Sequence, residues 1–197
     1  AKKRIIKLGE RPQDIYLVGC PRIDLVAKII KKETKDIYKS LNEGVGENID
    51  IKKPFIIVSQ HPVTTEYGLG EKQITETLKA VKKTNIPAIV LWPNADAGSE
   101  DISRGIRKWR ESKLDSNMHF YKNLPVEHYI KLMQKTVCLV GNSSSGIREG
   151  AFIGTPVVNI GSRQQMRARG KNVLDVKKGY SEIYKAIQYQ INHGKYD

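Results

Sequence analysis

From residue 54 onward, short runs that are apolar at every position alternate with longer stretches that are apolar on one face only. A strand that is apolar throughout must be covered on both faces, an arrangement that a parallel sheet between helices provides. The strand-like runs are residues 54–60, 86–92, 118–120, 137–140, 156–160 and 172–176. Between them, Ile74, Leu78 and Val81 share one helical face within residues 71–83, and Ile102, Ile106 and Trp109 share one within 99–112. Val126, Tyr129, Ile130 and Met133 follow Pro125 at the same spacing, and a short helix is expected at 145–152. The last helix carries Tyr180, Ile183, Tyr184, Ile187 and Ile191 on one side. The pattern predicts an α/β fold: a three-layer α/β/α, Rossmann-like parallel sheet of about six strands.

The first fifty residues read differently. Residues 14–18 are compatible with a strand, 24–41 carry a helical pattern, and 42–48 form a polar, glycine-bearing break. Residues 1–22 are therefore expected to belong to a separate unit and to cross through Gly19, Cys20 and Pro21 into the main domain at 23–178, with 179–197 as a C-terminal helix. Two cysteines, Cys20 and Cys138, exclude a disulfide framework and suit a reducing cytoplasm. No apolar run approaches the roughly 20 residues of a membrane span, and no signal-peptide core follows the basic start, so no membrane partner is expected.

Charge is the one compositional extreme: 34 Lys and Arg oppose 21 Asp and Glu, a net +13. Such a balance invites a nucleic-acid reading. The lysines, however, are spread along helices beside acidic residues, as at Lys28, Lys31, Lys32, Lys79, Lys82 and Lys83, and aromatic residues are only 7%. Neither a recognition motif nor a stacking platform is evident, and no nucleic-acid partner is expected. The exception to the scatter is Arg163, Arg167, Arg169 and Lys171, just after a strand.

In open parallel sheets, ligands bind beyond the carboxyl ends of the strands. The loops there carry Gln60-His61-Pro62-Val63-Thr64-Thr65-Glu66, then Pro93-Asn94-Ala95-Asp96-Ala97-Gly98-Ser99, then Gly141-Asn142-Ser143-Ser144-Ser145-Gly146, then Gly161-Ser162-Arg163-Gln164-Gln165. Three serines between two glycines suit a phosphate, because small residues allow close approach and hydroxyls and helix-start N–H groups donate. One serine would suffice for a helix cap. The run is neither a P-loop, since no Lys follows its second glycine, nor a serine-hydrolase elbow. Arg163 can fork onto a diphosphate or lie solvated in its loop. Glu149 can accept two ribose hydroxyls or complement a first helical turn. His61 can serve as a proton donor or as a structural group, and Asn94 and Asp96 can face a ligand or shape their turn. His119, His128 and His193 show no metal-ligand spacing, so no metal is expected.

Taken together, these four loops, with the run Gly154-Thr155-Pro156-Val157-Val158-Asn159-Ile160 leading into the last, resemble the C-terminal half of the hydrolysing UDP-N-acetylglucosamine 2-epimerases, which have the two-domain GT-B architecture. The His-Pro-Val-Thr-Thr loop resembles the hydrolysing branch. The resemblance covers about residues 55–176 and implies elimination of UDP to a 2-acetamidoglucal, then hydration to N-acetylmannosamine, without a cofactor. It further implies that Ser143 and Ser144 hold the diphosphate, Arg163 neutralises it, Glu149 grips the ribose, Asn94 lies by the nucleotide and His61 assists UDP departure. It also implies a cytoplasmic homo-oligomer making sialic-acid or other polysaccharide precursors.

The main acid/base carboxylates of that family lie on an N-terminal domain this chain does not contain. Without that domain or its equivalent, the chain is expected to bind UDP weakly and not to turn over UDP-N-acetylglucosamine. The alternatives are a 2-epimerase acting on another UDP- or GDP-linked acetamido sugar, and a non-catalytic nucleotide- or nucleic-acid-binding module.

Overall fold

The computed structural model describes residues 2–33 and 43–197. Strands β1 (Val45–Gly46), β2 (Ile56–Ser59), β3 (Ala88–Leu91), β4 (Met118–Tyr121), β5 (Cys138–Gly141), β6 (Val157–Ile160) and β7 (Val173–Val176) form one sheet. Their order is β1-β4-β3-β2-β5-β6-β7, and all neighbours run parallel except β1 against β4. The parallel strands β2 to β7 therefore follow the 3-2-1-4-5-6 order of a doubly wound sheet. The expected sheet of about six strands is seen, with one addition: β1, an antiparallel edge strand within the stretch read from sequence as a polar break.

Alternation along β2 explains the layers. Ile56 and Val58 point into one core, with Val90, Phe120, Val140 and Val158 from neighbouring strands. Phe55 and Ile57 point into the other, with Ile89, Tyr121, Leu139 and Val157. Helices α3 (Gly70–Lys83), α4 (Ser99–Glu111) and α8 (Tyr180–His193) cover the first face through Ile74, Leu78, Ile102, Ile106, Ile183 and Ile187. Helices α2 (Pro21–Lys31) and α5 (Val126–Lys135) cover the second through Val26, Ile29, Ile130 and Met133. Each buried side chain of this size contributes about 1.5–3 kcal/mol of transfer free energy. Removal of both apolar faces from water is why this sequence cannot settle as a one-sided sheet.

Three local expectations are corrected. Residues 14–18 form no strand: a 3₁₀ turn at Pro12–Asp14 leads into extended backbone that joins no sheet, where the Ile15 carbonyl accepts from Lys2 Nζ at 3.2 Å. Helix α1 (Lys2–Lys7) buries no side chain, and Tyr16, Leu17 and Val18 are 80%, 80% and 81% exposed. The helical pattern read at 24–41 is realised from Pro21 to Lys31, and residues 34–42 lie outside the described residues. The short helix expected at 145–152 is two: α6 (Ser144–Ile147) and α7 (Glu149–Ile153), separated at Arg148, whose ψ of −72° departs from the helical value.

The winding reverses between β2 and β5, and Gly141 closes β5 there. Its φ is +137°, and a Cβ at that point would overlap the Ser59 carbonyl oxygen of β2. Gly141→Ala should destabilise the chain by on the order of 3 kcal/mol, from backbone strain plus steric overlap. A denaturant titration of the variant checks this, and an unchanged midpoint would contradict the close-approach argument.

Candidate functional site

A doubly wound sheet binds ligands at the point where its strand order reverses, because the loops diverge there and leave a crevice. Here that point lies between the loops after β2 and β5. The two are joined by one side chain: the His61 backbone N–H donates to Asn142 Oδ1 at 2.7 Å, and Asn142 Nδ2 donates to the His61 carbonyl at 2.8 Å. Asn142 is buried, and its own carbonyl accepts from Gln164 at 2.8 Å and from Arg163 at 3.3 Å. Three strand-end loops are thus tied at one residue that sequence reading passed over. Its signal was present, since an Asn directly after a strand-ending glycine can satisfy the backbone of a neighbouring loop.

The other side of the His61 loop is held by Glu66. Its carboxylate accepts from Gln73 at 2.7 Å and Ser162 at 2.8 Å, and it pairs with Lys178. The His61 ring is fixed as firmly as its backbone. The Asn94 backbone N–H donates to Nδ1 at 3.2 Å, which places the ring proton on Nε2, 3.5 Å from Ser59 Oγ. Burial holds the imidazole well below its usual range, at about 4; the Arg163 guanidinium lowers it further and Asp96 opposes the shift. His61 is therefore a neutral donor at pH 7, not a cation.

A cavity of about 320 Å³ opens in front of these groups. Ser59, His61, Asn94, Tyr129, Ser143 and Ser145 form its polar wall, and Arg22, Trp92, Lys122, Leu124 and Val126 lie on its other sides. Ser143 caps α6, accepting from the Ser145 backbone at 3.4 Å. Helix α6 is only four residues long, so hydroxyls rather than a macrodipole must supply most of the attraction for an anion.

Of the residues expected from sequence, His61, Asn94 and Ser143 line the cavity. Ser144 does not, and Ser145 takes that place. Arg163 and Glu149 do not line the cavity either: Arg163 is bound to the Asn142 carbonyl and to Asp96 Oδ2 at 3.2 Å. Glu149 is buried at the start of α7 and accepts from Arg22 Nε at 2.8 Å, a 127-residue separation no local pattern announces. The basic cluster after β6 is no single surface: Arg169 turns away to Asp175 at 2.9 Å. Arg22, Ser59 and Tyr129 were missed as site residues because each looks like ordinary helix or strand in its own segment, whereas Ser145 lay in the serine run read as suited to a phosphate but was given no role of its own.

The His61 shift has a measurable consequence. An unfolded imidazole titrates near 6.5, so the stability owed to the neutral buried ring is fully present above that pH and is lost as pH falls to about 4. Between pH 7 and 4.5, the unsubstituted chain should lose about 2–3 kcal/mol more than His61→Gln, a difference urea titrations would resolve. At pH 7, ¹⁵N NMR should show the Nε2–H tautomer; a charged ring there would overturn the assignment.

The sequence profile described as UDP-N-acetylglucosamine 2-epimerase matches residues 1–197. A UDP-N,N'-diacetylbacillosamine 2-epimerase (hydrolyzing) of Legionella pneumophila is 32% identical over 195 residues, covering 99% of this chain and 49% of that protein. A UDP-N-acetylglucosamine 2-epimerase of Neisseria meningitidis is 29% identical over 200 residues, covering 100% and 49%. The chain thus spans about half the length of the curated relatives it matches. Among solved structures, UDP-GlcNAc 2-epimerase from Neisseria meningitidis bound to UDP-GlcNAc shares the fold with a TM-score of 0.72 at 14% identity, over 100% of this chain and 54% of that one. The Methanocaldococcus jannaschii enzyme in complex with UDP-GlcNAc and UDP does so at 0.70 and 12%, over 97% and 52%. The chain belongs to the UDP-N-acetylglucosamine 2-epimerase family.

Proposed function

We propose that this chain is the nucleotide-binding half of a hydrolysing UDP-N-acetylglucosamine 2-epimerase. The observation that carries the reading is the cavity at the sheet's reversal point, where His61, Asn94 and Ser143 meet in front of the arginine-backed Asn142. In the reaction, the sugar loses its C2 proton and its bond to UDP, leaving a 2-acetamidoglucal, which then takes up water to give N-acetylmannosamine. The proton acceptor for C2 belongs to the half outside this chain.

What this half contributes is a grip on the leaving group. Ser143 donates a hydrogen bond to the diphosphate, with Ser144 at the edge of the same turn. Arg163 provides positive charge from behind the Asn142 carbonyl, where partial burial leaves it less screened than a surface arginine. His61, neutral and protonated on Nε2, donates to an oxygen on which charge develops as UDP departs. Glu149 accepts ribose hydroxyls through the carboxylate oxygen that Arg22 does not engage.

Residues 1–22 are assigned to the crossing between the halves. The support is that α1 buries nothing and that Tyr16, Leu17 and Val18 are turned to solvent. A second reading concerns the sugar. The Legionella relative is named for UDP-N,N'-diacetylbacillosamine and a Campylobacter jejuni relative for its GDP or UDP form, so a diacetamido sugar is the alternative substrate. An Escherichia coli relative, 30% identical over 191 residues, is named a polysialic acid biosynthesis protein, which supports a place among polysaccharide precursors. No described helix is long and apolar enough to cross a membrane.

Calorimetric titration of this chain should show saturable UDP binding, weakened by Arg163→Ala roughly tenfold or more, the weight of a charge-assisted contact. The chain alone should release no N-acetylmannosamine, because the cleft that orients the sugar and excludes water is half built. Turnover by the isolated chain, or oligonucleotide binding that is steeply salt-dependent and indifferent to UDP, would overturn the proposal.

A further inference from the structure

Three hydroxyls stand in a row on the cavity wall. Tyr129 Oη is 2.7 Å from Ser145 Oγ, and Ser145 Oγ is 2.8 Å from Ser143 Oγ. Ser143 is the N-cap of α6, Ser145 lies in that helix and the tyrosine comes from α5, so the row joins two elements. Three hydroxyls carry three protons; the two links within the row use two of them, and one remains to leave it.

Which end the free proton leaves from depends on the direction of the row. A phenol is a better donor and a poorer acceptor than a serine hydroxyl, which favours donation from Tyr129 to Ser145. Burial also pushes the Tyr129 hydroxyl up from its ordinary value, so it keeps its proton. At the other end, Ser143 Oγ already accepts the Ser145 backbone N–H. With Ser145 as a second donor its two lone pairs are engaged, and its own proton is left for the cavity it lines.

We propose that Tyr129 is a positioning residue for anion recognition: it sets the row Tyr129→Ser145→Ser143 in one direction and presents the Ser143 hydroxyl as a donor. An unconstrained serine is ambivalent, whereas a phosphate oxygen at neutral pH only accepts. A directed row removes the wrong rotor and polarises the last O–H toward the ligand. The inference rests on the reading of this cavity as a diphosphate site and identifies what makes its serines suited to that task.

The test is NMR titration of this chain and of Tyr129→Phe with UDP, inorganic pyrophosphate and uridine. The substitution should weaken UDP and pyrophosphate roughly tenfold, since a hydrogen bond to a charged group is affected, and leave uridine unchanged. In a Ser143→Ala background the same substitution should change UDP affinity less than twofold, because the row has lost its end. Ser145→Ala, which removes the middle link without touching α5, should reproduce the phosphate-selective loss. Equal weakening of uridine and UDP would mean that Tyr129 only packs, and an unchanged UDP affinity would mean that the row has no direction to lose. Either overturns the inference. Failure of the unsubstituted chain to bind UDP would instead overturn the proposed function beneath it.

Discussion

The pair of hydrogen bonds between Asn142 and the His61 backbone holds the seam on which the rest of this molecule depends. A doubly wound sheet parts its loops at the strand-order reversal, so the place most open to a ligand is also the least supported by neighbouring backbone. Asn142 supplies the missing support with a side chain that matches one donor to one acceptor on each side. Left unmet, each of those buried groups would cost about 1–3 kcal/mol. The loops therefore separate above this bond and not at it. Gly141 permits it by letting β5 approach the Ser59 carbonyl, and Gln164 and Arg163 extend it to the loop after β6.

The site is correspondingly stiff, and its electrostatics follow from that stiffness. Because the Asn94 N–H occupies Nδ1 and burial disfavours the cation, His61 has one tautomer and one charge state at neutral pH. Positive charge comes from Lys122 on the cavity and from two arginines, Arg163 and Arg22, each already partnered by a carboxylate, Asp96 and Glu149. To engage either arginine, an arriving anion would compete with its carboxylate and not merely with water. Other basic side chains do not add to this charge: Lys79, Arg104, Arg107 and Lys108 are exposed and paired with acidic neighbours. Exposed pairs of this kind are worth about 0–1 kcal/mol each.

Strand identity and sheet class could be read from the sequence because a doubly covered strand has to be apolar at consecutive positions, as in Phe55-Ile56-Ile57-Val58. The place of His61, Asn94 and Ser143 at the cavity could be read as well, since each lies two or three residues beyond a strand end. What stayed hidden depends on long-range pairing. Arg22 reaches Glu149 from the first turn of α2, and Tyr129 reaches Ser145 from a helix whose apolar spacing made it look like core. The antiparallel strand β1 was hidden for another reason. It is two residues long, and Gly46 in it adopts a φ of +122° where a Cβ would overlap the Met118 carbonyl oxygen, so nothing in its composition suggests a strand.

That short strand also bears on self-association. An uncovered β4 edge would offer unpaired N–H and C=O groups to any extended chain, including another copy of this one. β1 takes up that edge at Phe120 and His119 and is too short and too twisted by its glycine to serve as a template in turn. On this side, then, the sheet ends in a strand that resists recruiting the next one. Among the described residues, the edge strand and the strand-end loops thus meet opposite requirements: the first limits further pairing and the second leaves a crevice.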